Sequence, residues 1–479
     1  MDLPTLANNA RTELLDEVIP FWLQHGVDSD HGGFICGLSH KGNVVDASKY
    51  AWYQGRGAWI FAKMYQRTNN LEHLRVARQA LQFVAQHCQH GDEFWTIVGR
   101  DGAVLKDRSK TDTVGYASLF YAEGMQQVAL HEKDEHKRSE MLQTTTQLCK
   151  NFLARCNKQR NAPETAYLLS APYQKGTRTL GHQMIPLRLA TQVLSNHSGV
   201  LTEEQRLYFE DVAQQMVQNI TVKFYDLEAK LTREELSFDF SPLRDPVLYY
   251  LGHAIEAFWF VLVEAERIGD SVLLELACDR IQRHVECAWD PVYGGLNRGL
   301  TLCGTQADHH DDTQADTISK EQTKMKYNDK NLMDKVAWVE QEGLIALLMV
   351  RERSQRAEMV AWAQMWFAKL HAWTMEHFPL KKHGHKLWLV GGDRLASFEE
   401  NYTFGNAGLK SRKENYHHPR YLMAVVEEHE RKSATTTISS NEEQQRPSGS
   451  LFIFIFVVLI FSVLYDLLFK NSPPPRIDG

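Results

Sequence analysis

Apolar residues recur at spacings of three and four along most of the chain between Leu3 and about Val426. Such spacing places them on one face of an α-helix, so the pattern predicts one helix after another. Clear examples are LEHLRVARQALQFVAQHC at 71–88 and SVLLELACDRIQRHVECAW at 271–289. Short glycine-rich segments with strand or turn character separate the helices, as in KLWLVGGDR at 386–394. This alternation predicts an all-α fold, a barrel of helical hairpins with short β-hairpins and no repeat of fixed period.

The C-terminal segment Leu451–Phe469, LFIFIFVVLIFSVLYDLLF, is apolar on every side and carries one charge, Asp466. About 20 apolar residues span the hydrocarbon core of a bilayer. A buried core helix, the alternative, would more often be apolar along one stripe. We therefore predict one transmembrane helix, with a polar linker at 427–450 before it, a short tail at 470–479 after it, and one large domain at 1–426.

The N-terminus has no basic stretch followed by an apolar run, so no signal peptide is predicted. A C-terminal span without a signal peptide predicts a membrane localisation as a single-pass tail anchor, with the large domain facing the cytosol. The seven cysteines are odd in number and show no CxxC spacing. This usage favours reduced thiols over a disulfide framework or a zinc site.

The formal net charge of −7 gives no support for a nucleic-acid partner. Residues 303–331 are polar and poor in large apolar side chains, which indicates an exposed insertion. Its HHDD run at 309–312 has metal-binding residue types, but an unenclosed loop seldom holds a metal. The sequence therefore predicts no metal and no other cofactor.

Two early motifs carry residue types suited to ligand binding and acid–base chemistry. In KYAWYQGR at 49–56, Gly55 would allow a ligand to approach closely, and the Arg56 fork can bind a hydroxyl, carbonyl or carboxylate. The alternative is an Arg–Glu pair that ties two helices together. In GHAIE at 252–256, His253 and Glu256 share a helix face. A histidine beside a carboxylate suits acid–base catalysis, whereas a lone histidine is more often a core residue.

Two later motifs add an aromatic–acid pair and further histidines. Trp338 and Glu342 are four residues apart on one predicted helix, so an indole could stack on a sugar while the acid binds hydroxyls. Simple helix packing with a surface acid is the alternative. In YHHPR at 416–420, His417 and His418 precede a proline that suits a first helical turn. These histidines offer a second acid–base group.

In their order and spacing these motifs resemble the N-acylglucosamine 2-epimerase family, from about Leu14 to Met423. The resemblance implies an (α/α)6 barrel and a sugar isomerase. The segments that carry it are DHGGF at 30–34, KYAWYQGRGAW at 49–59, GRDGAVLKDR at 99–108, GHAIEAFWF at 252–260, WDPVYGGL at 289–296, KVAWVEQEGL at 335–344 and YHHPRYLM at 416–423.

Carried over position by position, the resemblance implies that His253 and His417 are the paired catalytic histidines. It implies that Arg56 binds the substrate and that Glu256 and Glu342 are acidic residues of the active site. The implied reaction interconverts N-acetylglucosamine and N-acetylmannosamine: one base removes the C2 proton and a second group returns a proton to the opposite face.

The chain departs from the family pattern in three places. Ala337-Trp338 stands where the family has a tryptophan pair, residues 384–390 replace a family loop, and 303–331 is additional. These departures bear on the exact sugar more than on the chemistry. The alternatives are an isomerase or epimerase of another sugar on the same scaffold, a glycoside hydrolase with paired carboxylates, and a non-catalytic barrel that binds a partner. A homodimer is compatible with the resemblance.

Overall fold

A computed structural model describes residues 2–106, 109, 116–158, 177–243, 247–302, 332–397 and 413–445. For 302, 325–326, 403–404, 409–410 and 434–445 it describes the backbone alone. By compactness the chain divides into two units, Met1–Val426 and Glu427–Gly479. All the residues predicted to form the site belong to the first unit.

Helices account for most of the described residues, in agreement with the predicted all-α fold. Their bounds are α1 Leu3–Thr12, α2 Ile19–Phe21, α3 Ala51–Thr68, α4 Leu71–Phe83, α5 Ala117–Ala129, α6 Glu135–Cys156, α7 Gly181–His197, α8 Glu203–Gln218, α9 Leu251–Ile268, α10 Ser271–Ala288, α11 Ala337–Arg353, α12 Ala357–His377 and α13 His417–Gln445. π-Helical turns cover Glu13–Val18, Trp22–Gly26, Val84–Cys88 and Asn219–Lys223, and a 3-10 turn covers Lys381–His383.

The strands are two or three residues long and pair antiparallel, which confirms the predicted short hairpins. Their pairs are β1–β2, β3–β6, β4–β5, β7–β10, β8–β9, β14–β15 and β16–β17, with β11, β12 and β13 in one sheet. Their bounds are β1 Gly37–Leu38, β2 Val44–Asp46, β3 Lys49–Tyr50, β4 Gln89–His90, β5 Glu93–Phe94, β6 Ile97–Val98, β7 Thr177–Thr179, β8 Tyr225–Asp226, β9 Leu231–Thr232, β10 Glu235–Ser237, β11 Val247–Tyr249, β12 Leu300–Leu302, β13 Met325–Lys326, β14 Lys335–Val336, β15 Gly391–Gly392, β16 Thr403–Phe404 and β17 Leu409–Lys410.

Burial divides the helices into two classes. Helices α3, α5, α7, α9 and α11, and residues 417–426 of α13, are buried along nearly all of their length. Helices α4, α6, α8, α10 and α12 bury one stripe each. Each buried helix up to α11 packs against the partly exposed helix that follows it, and successive buried helices pack together. These six buried and five partly exposed helices thus form an inner and an outer ring, in agreement with the predicted barrel of helical hairpins.

Glycines set the distance between inner helices. A Cβ on Gly55 would lie 2.3 Å from the Phe120 carbonyl carbon, and one on Gly124 would lie 2.7 Å from the Gly55 oxygen. Gly55 therefore admits the backbone of α5, not a ligand as the sequence had indicated. On α9, a Cβ on Gly252 would lie 2.7 Å from Cγ2 of Val339, so this glycine lets α11 approach α9.

Inner and outer helices begin differently. Asn70, Asp134, Thr202 and Asp270 cap outer helices by accepting hydrogen bonds from backbone N–H groups of the first turn. Helices α3, α5, α7, α9 and α11 have no such side-chain cap. Four of them, α3, α7, α9 and α11, start within two residues of a short paired strand. Strand pairing thus fixes where these four inner helices begin.

A buried ion cluster anchors the strand that precedes α3. The Lys49 ammonium lies 2.8 Å from Oδ2 of Asp28, with both side chains fully buried. Arg100 donates to both Asp28 oxygens, at 2.9 and 3.0 Å. Burial raises the pKa of Asp28, but the bonds from Arg100 and Lys49 outweigh it and hold the pKa below its ordinary value. Breaking such a pair leaves a buried charge without its partner, which is strongly destabilising.

A second cluster of the same kind anchors the strand before α11. Lys335 lies 3.3 Å from Oδ2 of Asp290, with both side chains fully buried. Arg394 donates to the two Asp290 oxygens at 2.6 and 2.9 Å. Burial again raises the pKa of Asp290, and the charged partners and backbone N–H bonds again lower it below its ordinary value. The strands before α3 and α11 are thus fixed by equivalent contacts.

Among the helices that the structure describes, none is long and apolar enough to cross a membrane. On this finding the predicted membrane localisation, a single-pass anchor with the large domain facing the cytosol, is corrected. The segment predicted to be the anchor, 451–469, and the tail, 470–479, lie outside the described residues. Helix α13 continues to Gln445 and so includes most of the stretch predicted as a linker. The insertion at 303–331 is described only by the backbone of 325–326.

Candidate active site

His417 stands at the start of α13 and contacts a carboxylate from α11. Its Nδ1 lies 2.9 Å from Oε1 of Glu342, whose side chain is fully buried. Its backbone N–H donates to Oε2 of Glu414 at 2.6 Å, so Glu414 caps the helix start. Glu342 also accepts a bond from Nε1 of Trp259 at 2.8 Å. The carboxylate is thus held on several sides, and it orients the imidazole.

His253, in the first turn of α9, contacts a second buried carboxylate. Its Nδ1 lies 3.0 and 3.1 Å from the two oxygens of Glu234, which directly precedes β10. No sequence motif pointed to Glu234. The available signal was a pair of acids, Glu234-Glu235, beside a short buried strand. A bond from Nδ1–H to this carboxylate orients the ring and leaves Nε2 as the other site of proton exchange.

The two histidines converge on one indole. The ring centroids of His253 and His417 each lie 5.5 Å from that of Trp338, at tilts of 37° and 35°. The Trp338 ring also stacks on that of Tyr250, the residue directly before α9, with the ring centroids 5.9 Å apart. Helix α11 therefore places one indole ring in contact with two imidazoles that come from α9 and α13. Each imidazole has its Nδ1 on a carboxylate, so the two Nε2 atoms are the groups available to a ligand.

The two histidines differ in electrostatic environment. Burial lowers the pKa of His253, but the charge and hydrogen bond of Glu234 outweigh it and raise the pKa above its ordinary value. Burial lowers the pKa of His417 to about 3, and the nearby Arg420 and Arg56 act in the same direction while Glu414 opposes them. His253 therefore holds a proton more readily than His417 does.

Arg420 bridges the carboxylates of two inner helices. Its Nη2 donates to Oε1 of Glu256 at 2.6 Å and also to Oε1 of Glu342. From the sequence, Arg420 was expected only as part of a turn, and Glu256 was expected beside His253. The structure instead places Glu256 against Arg420, while its charge still raises the pKa of His253. Because two buried acids share one guanidinium, the three groups stabilise one another.

The same region has the geometry of a metal site. Ligand atoms of Glu256, Glu342 and His417 lie within 4.8 Å of one another. Nη2 of Arg420 is within hydrogen-bond reach of all three residues and lies 2.9 Å from Nδ1 of His417. A cation is therefore already supplied by the chain itself, and a metal ion would have to displace this guanidinium.

Arg56 reaches the site from α3. Its Nη1 lies 3.4 Å from Oε1 of Glu414, and its guanidinium lies 4.1 Å from the Phe120 ring centroid and 4.9 Å from that of Tyr416. The Arg–Glu pair considered as the alternative reading is thus present, and Glu414 links Arg56 to the backbone of His417. At 17% exposure, the Arg56 side chain is accessible to a small ligand.

His418 points away from this group. Its Nε2 lies 3.2 Å from Oε1 of Glu13, and its ring lies 4.3 Å from that of Trp388. It therefore joins α13 to the N-terminal helical segment. Of the two histidines considered at the start of α13, the structure brings only His417 together with Glu342 and Trp338.

A second buried arginine lies beneath the site and was also missed. Arg188 on α7 donates from Nε to Oε1 of Glu123 on α5 at 2.5 Å. The hydroxyl of Tyr416 donates to the same carboxylate at 3.0 Å. The Arg188 guanidinium lies 5.0 Å from the Trp59 ring centroid. These residues carry charge on otherwise apolar inner helices, which was the signal available in the sequence.

Comparison with known proteins gives consistent likenesses. A family model described as N-acylglucosamine 2-epimerase (GlcNAc 2-epimerase) matches residues 32–402. The N-acylglucosamine 2-epimerase of Rattus norvegicus is 26% identical over 314 residues, which are 61% of this chain and 68% of that protein.

Two solved structures share the fold. The cellobiose 2-epimerase of Bacillus thermoamylovorans has a TM-score of 0.66 at 16% identity, over 88% of this chain and 99% of that one. A D-mannose isomerase has a TM-score of 0.63 at 15% identity, over 88% and 97%.

Proposed function

The chain belongs to the N-acylglucosamine 2-epimerase family and is thereby a sugar isomerase, and from that premise we propose that it interconverts N-acetylglucosamine and N-acetylmannosamine. The observation that carries the proposal is the pair of imidazoles, His253 and His417, which both contact the ring of Trp338. Each has a buried carboxylate on Nδ1. Epimerisation at C2 needs one proton-transfer group on each face of the open-chain sugar, and this pair supplies them.

The different pKa directions of the two imidazoles divide the first step between them. His417 is neutral in the resting protein because burial and two guanidinium groups disfavour its charged form. With Nδ1–H donated to Glu342, its Nε2 accepts the C2 proton of the bound sugar. His253 holds a proton because Glu234 stabilises the imidazolium. It delivers that proton to the opposite face of C2, and the reverse reaction exchanges the two roles.

The intermediate is an enediolate, whose negative charge develops on the C1 oxygen. Arg56 is the accessible cation beside His417, so we assign it to that oxygen. Trp338 stacks on the apolar face of the sugar, beside the two imidazoles. Glu342 and Glu256 hold Arg420, and through it they orient His417 and tune its pKa.

The test is replacement of each histidine by alanine. His253→Ala and His417→Ala should fold and should each lose roughly 10²- to 10⁴-fold in turnover, the usual contribution of a positioned acid–base group. Proton NMR in deuterated water measures both epimer formation and deuterium incorporation at C2. His418→Ala is the matched control, because its side chain contacts Glu13 and Trp388. Near wild-type turnover in either catalytic variant would refute the two-base assignment.

A second candidate is an isomerase or epimerase of another sugar on the same scaffold. The enediolate is common to both reactions: return of the proton to C1 instead of C2 gives a ketose. A panel of aldoses in deuterated water separates the candidates, because only the true substrate exchanges its C2 hydrogen.

A glycoside hydrolase is less favoured, since Glu256 and Glu342 share the guanidinium of Arg420 and neither is a free acid. A homodimer stays a prediction.

A further inference from the structure

The first turns of α3 and α11 share a sequence motif. Residues 49–56 read KYAWYQGR and residues 335–342 read KVAWVEQE, so a lysine, an alanine and a tryptophan recur in register. The pattern escapes a search for a fixed period because the segments around the two copies differ in length. In this alignment Trp52 corresponds to Trp338, and Arg56 corresponds to Glu342.

The contacts show that the two copies are also structurally equivalent. Lys49 pairs with Val98 across β3 and β6. Arg100, two residues after Val98, binds Asp28. Lys335 pairs with Gly392 across β14 and β15. Arg394, two residues after Gly392, binds Asp290 in the same way.

A side chain five residues after each lysine makes the next equivalent contact. The side chain of Gln54 accepts a hydrogen bond from the backbone N–H of Phe34 at 2.6 Å. The side chain of Glu340 accepts one from the backbone N–H of Leu296 at 3.0 Å. The two motifs therefore have the same anchors and the same helical register.

The two copies reach the start of α13 from different helices. Glu342 contacts the imidazole of His417, and Arg56 contacts Glu414, which caps the same turn. Residues four apart lie on one helix face. Trp338 is four residues before Glu342, and its ring contacts His417. Trp52 is four residues before Arg56, so it lies on the α3 face that is directed to the site, one turn nearer the helix start.

We propose that Trp52 is a second sugar-contacting residue, which packs against the substrate from α3 as Trp338 does from α11. The inference rests on the proposed function for the identity of the sugar. The Trp52 ring lies 4.9 Å from that of Tyr50 and 5.5 Å from that of Tyr53, so it belongs to an aromatic cluster at the start of α3, in which Trp52 is 8% exposed. Sugar rings have apolar faces that aromatic rings bind, and the two indoles would together limit the orientation of the sugar over His417.

The decisive measurement separates KM from kcat. Trp52→Ala should raise KM for N-acetylglucosamine about 5- to 10-fold, the size of effect expected for loss of one aromatic contact, and should change kcat little. Trp52→Phe should recover most of the loss because a ring is kept. Trp366→Phe is the control, since Trp366 contacts Trp289 and Lys369 on the outer helix α12.

Substrate-dependent quenching of tryptophan fluorescence gives a readout that packing alone does not move. In a Trp338→Phe background, N-acetylmannosamine should still quench emission, and a further Trp52→Phe change should reduce that quenching. Wild-type KM in Trp52→Ala, or unchanged quenching in the double variant, would overturn the inference. If Trp52→Ala does not fold, the Phe variants decide the question. If the wild type instead exchanges C2 of another aldose, the proposed substrate fails, and the same variants test Trp52 with that sugar.

Discussion

Replacement of Glu234 by glutamine tests the division of labour between the two histidines. Glutamine keeps the size of the side chain and a hydrogen-bonding oxygen 3.0 Å from Nδ1 of His253, but it removes the charge. That charge is the largest factor that raises the pKa of His253 against the effect of burial. In Glu234→Gln the pKa of His253 should therefore fall, and the imidazole should lose its proton at a lower pH.

The magnitude follows from the type of bond that is lost. A hydrogen bond to a charged group contributes about 1.5–3 kcal/mol. One pKa unit corresponds to about 1.36 kcal/mol, so the pKa of His253 should fall by roughly one to two units. The proposed step needs protonated His253 and neutral His417, so loss of the His253 proton sets the alkaline limb of the rate profile. That limb should move to lower pH by the same amount, and turnover at a pH above the wild-type limb should fall roughly 10- to 100-fold.

The assay is epimerisation of N-acetylglucosamine followed by proton NMR from pH 5 to pH 9. Glu286→Gln is the matched control, because Glu286 is exposed on α10 and accepts a bond from Trp362. Thermal unfolding checks that both variants are folded. An alkaline limb that stays in place in folded Glu234→Gln would refute the assignment of His253 as the proton donor.

Three further outcomes concern stability. Lys49→Met should lower the free energy of unfolding in urea by about 3 kcal/mol, since it removes one partner of buried Asp28 while Arg100 remains; an unchanged midpoint would show that the pair contributes nothing. Gly55→Ala should lower the melting temperature through overpacking of about 1–3 kcal/mol against α5, whereas Gly199→Ala, in open space, should not. The folded pKa values of Asp28 and Asp290 lie below the unfolded value of about 3.9. The stabilisation that these two carboxylates provide is therefore full above that pH and is lost as pH falls through the folded pKa values. Urea unfolding from pH 6 to pH 2.5 should show the free energy of unfolding falling only below about pH 4. A flat profile would contradict this.

The barrel could be predicted from the sequence because the spacing of apolar residues shows which face of a helix is buried. Outer helices such as α4 carry one apolar stripe that is visible in the spacing, whereas α5 is buried on every side although it contains Glu123, Gln126 and Gln127. The family could be predicted too, because its motifs are short and continuous, and the match over 32–402 confirms it. Within one helix, spacing also relates Trp338 to Glu342.

Contacts between different elements could not be predicted in this way. Glu234 precedes a short strand, and nothing in its spacing shows that it faces His253 on α9. Glu256 shares a helix face with His253, yet it bonds Arg420 across the barrel because that guanidinium can satisfy two carboxylates at once. The role given to Gly55 failed for the same reason: the approaching group is the backbone of α5, which local sequence does not reveal.

The position of Arg420 in the chain has a consequence for the order of assembly during synthesis. Glu256 and Glu342 emerge from the ribosome well before residue 420, and domains fold from the N-terminus as the chain lengthens. Until α13 arrives, the inner ring contains two acids whose common counter-ion has not yet been made. A nascent barrel that closed early would bury like charges without a partner. Docking of α13 therefore completes the ring and the charge balance in the same event, and a chain stalled before that point should stay open.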